Sequence, residues 1–109
     1  MTNITTKGDF VSFLLTYVAE ADYRVSEEEK TIILQHVSLE KYGQIKRTLD
    51  HLSDFECLNV ISLHRDEFLP TLDSRMELID EMELLYAADH KQSVLERNMI
   101  LGLKKILLA

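Results

Sequence analysis

The segment AEADYRVSEEEK at residues 19–30 returns as YAADHKQSVLER at residues 86–97, and this pair decides the fold. Three polar positions match at an offset of 67 residues: Asp22 with Asp89, Ser26 with Ser93, and Glu29 with Glu96. Four apolar positions match at the same offset: Val11 with Leu78, Leu15 with Met82, Val18 with Leu85, and Ile33 with Ile100. The repeat predicts two related helical hairpins, each with its bend at an Ala-Asp pair. A middle pair of helices joins the first hairpin to the second.

Capping signals and apolar spacing together predict six helices. Ser26 and Glu29 have the spacing of a capping box, and the same pattern starts at Ser53 and at Ser93. Helices are expected over residues 10–21, after Ser26, over 39–52, after Ser53 to residue 68, over 72–86, and after Ser93. In the fifth, the apolar stripe consists of Leu72, Met76, Ile79, Met82 and Tyr86. No strand pattern is present, so the fold class is all-α, a compact bundle of about six helices with two pseudo-symmetric hairpins.

Length and composition narrow the class of protein. The 109 residues suit a single domain over 1–109, and 46% hydrophobic with 28% charged residues is the balance of a globular chain. The net charge of −7 argues against nucleic acid, because binding to phosphates needs Lys and Arg. One cysteine favours the reducing cytoplasm. Neither a signal peptide nor a membrane span is expected, since the apolar tail, Met99 to Ala109, is too short and contains Lys104 and Lys105.

The two segments, their separation and the apolar helix that runs into each resemble the TerB-like family, an all-helical domain associated with tellurite resistance and stress. The resemblance covers both hairpins. In that family the bend reads Ala-Asp-Gly, whereas this chain has Tyr23 and His90 at the glycine positions.

The resemblance implies a cluster of acidic side chains at the two bends that binds a divalent cation. The candidate ligands are Asp22, Glu29, Asp89 and Glu96. Carboxylate oxygens suit Ca²⁺ or Mg²⁺. The alternative is that these residues only cap helices and stabilise turns. Asp22 and Asp89 also end helices, where the dipole is negative, so a positive group is expected nearby: backbone amides, Lys30, Arg97 or a cation.

No pattern in the sequence indicates an enzyme. Cys57 lies in an apolar stripe, where cysteine behaves as a small hydrophobe, and the three glycines stand alone rather than in a phosphate loop. His90, beside Asp89, is the one histidine considered as a ligand. The expected function is a non-enzymatic stress-response or tellurite-resistance module that binds a cation or a protein partner. The competing hypothesis is a helical interaction or scaffold domain in which the repeat is only architecture.

Two segments suggest surfaces for protein partners. The run from Asp73 to Glu83 holds five acids and one base, and is either the solvated face of a helix or a docking face for a basic partner. In the last helix, Leu101 and Leu108 lie on a different side from Met99, Leu103 and Ile106. This second apolar side is either buried in the bundle or forms a homodimer contact.

Overall fold

The first helix, α1 (Lys7–Ala19), is the element on which the others pack. The structure, a computed structural model, describes residues 4–22, 25–88 and 94–109. A short 3-10 turn, Glu20–Asp22, follows α1, and the later helices are α2 (Glu27–Ile33), α3 (Leu39–Asp50), α4 (Asp54–Phe68), α5 (Leu72–Ala88) and α6 (Val94–Leu107). Within those ranges the chain forms six α-helices and no strand, which confirms the predicted fold class.

Helix α1 is buried on every side because each of the five other helices contacts it. All its residues from Asp9 to Ala19 are buried. This includes Ser12 and Thr16, whose hydroxyl groups have no hydrogen-bond partner in the part of the chain that the structure describes. The large apolar side chains of α1, such as Phe10 and Leu14, therefore form the centre of one shared core.

Helix starts follow the predicted capping chemistry. The hydroxyl oxygens of Ser26 and Ser53 each accept a hydrogen bond from the backbone N–H three residues later, at 3.1 Å. The carboxylates of Glu29 and Glu56 accept in return from the backbone N–H of each serine, at 2.9 Å. These two capping boxes are confirmed, whereas Ser93 of the third lies outside the described residues.

All eight apolar positions of the repeat are buried. Six of the eight lie on α1 and α5, which nevertheless have different surroundings, because α1 is central and α5 lies at the edge of the bundle. The predicted apolar stripe of α5 is accordingly wrong at its N-terminal end: Leu72 is 65% and Met76 43% exposed. Its members Ile79 and Met82 are buried as predicted, and Leu78 and Leu85 complete the buried side of α5.

Close packing between α1 and the turn after α2 requires a glycine at position 8. A Cβ atom built on Gly8 would lie 2.6 Å from the backbone carbonyl oxygen of His36, well inside van der Waals contact. A Cβ atom on Gly43, inside α3, would meet only the Arg47 guanidinium, at an ordinary 3.7 Å.

We expect Gly8→Ala to lower the free energy of unfolding by about 1–3 kcal/mol, because α1 or the turn must move to admit the methyl group. Gly43→Ala is the matched control and should raise it by about 0.5–1 kcal/mol through helix propensity. Urea unfolding followed by circular dichroism measures both. Equal effects of the two substitutions would contradict the close approach at Gly8.

Candidate functional site

The first bend of the repeat is formed by the 3-10 turn and the start of α2. Glu29 belongs to the capping box of α2, and its side chain is fully buried. Glu56 makes the same pair of capping hydrogen bonds at the start of α4 but is exposed. Capping alone therefore does not require burial of the carboxylate. Because removing a carboxylate from water is costly, the buried Glu29 needs stabilising contacts that the exposed Glu56 does not.

Charged groups are concentrated around this bend. The Lys46 ammonium donates to a carboxylate oxygen of Glu20 at 2.7 Å, and this hydrogen bond raises the pKa of Lys46. Burial raises the pKa of the Tyr42 hydroxyl, and the nearby carboxylates of Glu20, Glu27 and Glu29 raise it further against the opposing effect of Lys46. The positive group that the structure places beside the 3-10 turn is therefore the Lys46 ammonium, which is not among the groups that the sequence suggested for Asp22.

The four predicted cation ligands are only partly described. Asp22 ends the 3-10 turn, Glu29 lies in α2 and Glu96 in the first turn of α6. The side chains of Asp22 and Glu96, and the whole of Asp89 and His90, lie outside the described residues. In the described ranges no three His, Cys, Asp or Glu side chains are arranged to hold a metal ion. The four-carboxylate site stays a prediction.

Packing does bring the first bend beside the helix that follows the second. The 3-10 turn contacts α6. Ala21 of that turn lines a cavity together with Met99, which lies three residues after Glu96 in α6. The structure thus places the first bend against α6, whereas the second bend itself lies outside the described residues.

Cys57, the single cysteine, also lines that cavity, which has a volume of about 180 Å³. The Cys57 side chain is buried, and burial together with the nearby Asp54 charge raises the pKa of its thiol to about 11. The Tyr17 hydroxyl donates to an oxygen of Asp54 at 3.4 Å, and burial followed by the Asp54 charge raises the Tyr17 pKa to about 12. Both groups are therefore protonated at neutral pH, so Cys57 has the surroundings of a structural cysteine.

A second cleft, of about 560 Å³, lies where the start of α1, the turn after α2 and α5 meet. Its walls combine the apolar side chains of Val11, Leu69 and Leu78 with the acidic ones of Glu77, Asp80 and Glu81. Glu81 is half-buried and lies 2.8 Å from Nε2 of His36. The acidic run of α5 is thus only partly the solvated face that the sequence suggested. No local signal could find this pair, because its residues are 45 positions apart.

The sides of α5 and α6 that point away from α1 form an exposed face, hereafter the outer face. Its residues are Met76, Asp80 and Leu84 of α5, Val94, Leu101 and Lys105 of α6, and Leu108 directly after α6, all of them exposed. Asp80 lies at the border between this face and the 560 Å³ cleft, which it also lines. Leu101 and Leu108 are 47% and 46% exposed, so the expectation that they are buried within the bundle is wrong. Leu103, on the opposite side of α6, is 1% exposed.

Comparison with known proteins gives no relative for this chain: no family model, curated protein or solved structure matches it. Of the helices in the described ranges, none combines the length and the apolar composition that crossing a membrane requires.

The state of Cys57 yields a direct prediction. Because its thiol is buried and its pKa is raised to about 11, we expect a disulfide reagent at neutral pH to modify the native protein far more slowly than the urea-unfolded chain, where a free thiol has a pKa of about 8.5. The measurement is the absorbance of the coloured thiolate that the reagent releases, followed over time. Equally fast modification of the native protein would show that the thiol is accessible and activated.

Proposed function

We propose that this chain is a non-enzymatic helical module that acts by binding another protein through the outer face of α5 and α6. The observation that carries the proposal is the exposure of Leu84, Val94, Leu101 and Leu108 on one side of two adjacent helices. On α6, residues 94, 101 and 108 are spaced by seven, so they form one stripe along the helix. Several exposed apolar side chains on one side of two adjacent helices are the kind of feature that protein interfaces use.

The class of module proposed is the TerB-like one, with a role in stress response or tellurite resistance. Its support is the pair of motifs in the sequence, the intact capping box of Ser26 and Glu29, and the burial of every apolar position of the repeat. The non-enzymatic part is supported by the inert surroundings of Cys57. The same free thiol supports a reducing compartment, and we place the protein in the cytoplasm.

The interaction proposal predicts where a partner touches the chain. A photo-crosslinking amino acid introduced at Leu101 should give a discrete adduct when irradiated in the producing cell, since this position lies in the middle of the stripe. Leu63 is the matched control, because it is 71% exposed on α4, away from the outer face, and should give none. The adduct is read by its mass on a denaturing gel and by mass spectrometry. Equal labelling at the two positions, or no adduct at Leu101, would contradict the proposal.

A second candidate function is the binding of a divalent cation at the paired bends. The specific observation that favours it is the complete burial of the Glu29 carboxylate beside a turn that packs against α6. The ligands would be Asp22, Glu29, Asp89 and Glu96, with oxygen chemistry suited to Ca²⁺ or Mg²⁺.

The two capping boxes provide a matched test of this cation site. Millimolar Ca²⁺ or Mg²⁺ should raise the melting temperature, because a ligand that binds only the folded state stabilises that state. At a cation concentration of a hundred times the Kd, the free energy of unfolding rises by about 2.7 kcal/mol. Glu29→Gln should abolish the rise, whereas Glu56→Gln should preserve it; glutamine serves in a capping box as glutamate does. Asp22→Ala combined with Asp89→Ala should also abolish it. A melting temperature of the native chain that no cation changes would rule the site out.

A further inference from the structure

The two helices of the outer face carry opposite charges. The fully exposed ionised side chains of α5 are all acidic: Asp73, Glu77, Asp80 and Glu83. On α6 the described charged side chains are all basic: Arg97, Lys104 and Lys105. Within the described part of the chain Glu83 pairs with Lys104, while Asp80 and Lys105 form no ion pair. Among the described side chains, each helix thus presents exposed apolar residues with exposed charge of one sign, opposite to that of its neighbour; the side chain of Glu96 in α6 lies outside the described residues.

The two helices also lie side by side in opposite directions. Only residues 89–93 connect them, and helices that touch across so short a connection are antiparallel. Contacts between their facing sides agree with this: Glu83 and Tyr86 line a small cavity with Ile100 and Leu101. The acidic and the basic surface are therefore two adjacent halves of one face.

We propose that the outer face binds a second copy of this chain, with α5 of each subunit lying on α6 of the other. This inference rests on the proposed interaction function and names its partner. A two-fold axis parallel to the helices places both contacts at once, so acidic α5 meets basic α6 twice. Because Glu83 lies beside Lys104, Leu84 is level with the stretch from Leu101 to Lys105, and Met76 lies toward the C-terminal end of α6. These two side chains then cover Leu101 and Leu108, whereas Val94 lies beyond the end of α5.

Charge disfavours the simpler dimer in which α6 packs on α6 alone. The stripe of residues 94, 101 and 108 is symmetric about Leu101, so an antiparallel α6 pair centred there would bring Lys105 close to Arg97 of the partner subunit. Like charges placed opposite each other in an interface are destabilising. The C-terminal helix therefore takes part in the dimer only together with α5.

The size of the face sets the strength of the dimer. Helices of 17 and 14 residues are about 25 and 21 Å long, and two of them side by side are about 20 Å wide. Such a patch measures on the order of 500 Å² per subunit, which belongs to weak and reversible complexes rather than obligate ones. The dissociation constant is therefore sought in the range of weak complexes, from about 10 μM to 1 mM.

The test is sedimentation equilibrium of the full chain from about 10 μM to 1 mM, which brackets that constant. The native protein should show a monomer–dimer equilibrium. Asp80→Lys and Lys105→Glu should each weaken dimerisation about tenfold or more, because each creates a like-charge contact twice in the homodimer. An equimolar mixture of the two variants should recover the native affinity. In the mixed dimer one contact joins the two substituted positions and the other joins the two native side chains, so both pairs are again opposite in charge.

Controls keep the result specific. Leu101→Glu should abolish dimerisation and Leu63→Glu should leave it unchanged, and unaltered circular dichroism verifies that each variant is folded. A native chain that stays monomeric up to about 1 mM overturns the proposal, and so does a mixture that associates no better than its components. Stronger association of Lys105→Glu would indicate an α6–α6 dimer instead. A crosslink from Leu101 to a different protein, found with a monomeric native chain, would refute the second copy but retain the interaction function.

Discussion

The burial of α1 on all sides is the constraint on which the rest of the structure depends. The start of this helix nevertheless lies at the surface, where Thr5, Thr6 and Lys7 are exposed, and its first turn is capped by the protein itself. Asp9, buried in that turn, accepts hydrogen bonds from the backbone N–H groups of Thr5 and Thr6 and from the Thr5 hydroxyl. Burial raises the pKa of Asp9, but these bonds and the Lys41 ammonium at 3.5 Å lower it more, to a net value below the ordinary one. The carboxylate therefore stays charged and anchors the start of the central helix.

Because of this constraint, the two halves of the repeat have different surroundings in the bundle. Only one helix can occupy the centre, and the matching helix α5 must lie outside, with one side on the core and the other in water. The second hairpin also differs at its end, since α2 has seven residues and α6 fourteen. The added turns of α6 run along α5 and carry Leu101 and Leu108. The outer face is thus a consequence of building a bundle from two similar hairpins around one buried helix.

Features set by a few neighbouring residues could be predicted from the sequence. The capping boxes at Ser26 and Ser53 depend on side chains three positions apart, and both were predicted correctly. The box at Thr6 and Asp9 was missed, although it has the same spacing, because its acid is aspartate. The sides of helices were harder to assign, since the exposure of Leu72 and Met76 depends on which neighbour covers the start of α5. The pairing of His36 with Glu81 depends wholly on tertiary packing. Of the candidate cation ligands, the sequence placed Glu29 in its capping box but gave no sign that its carboxylate is buried.

The net charge of −7 describes the molecule at a distance and not at its surfaces. Two such chains repel each other over a range set by the Debye length, about 10 Å at 0.1 M salt. At contact the relevant charges are those of α5 and α6, and these are sorted by helix rather than mixed. If the outer face were uniformly acidic, two copies of the chain would repel each other at short range as well as at long range. The apolar stripe could then not pack on a second copy. In the proposed dimer the basic residues on α6 remove that repulsion where the chains touch, and they lie beside the exposed Leu101 and Leu108.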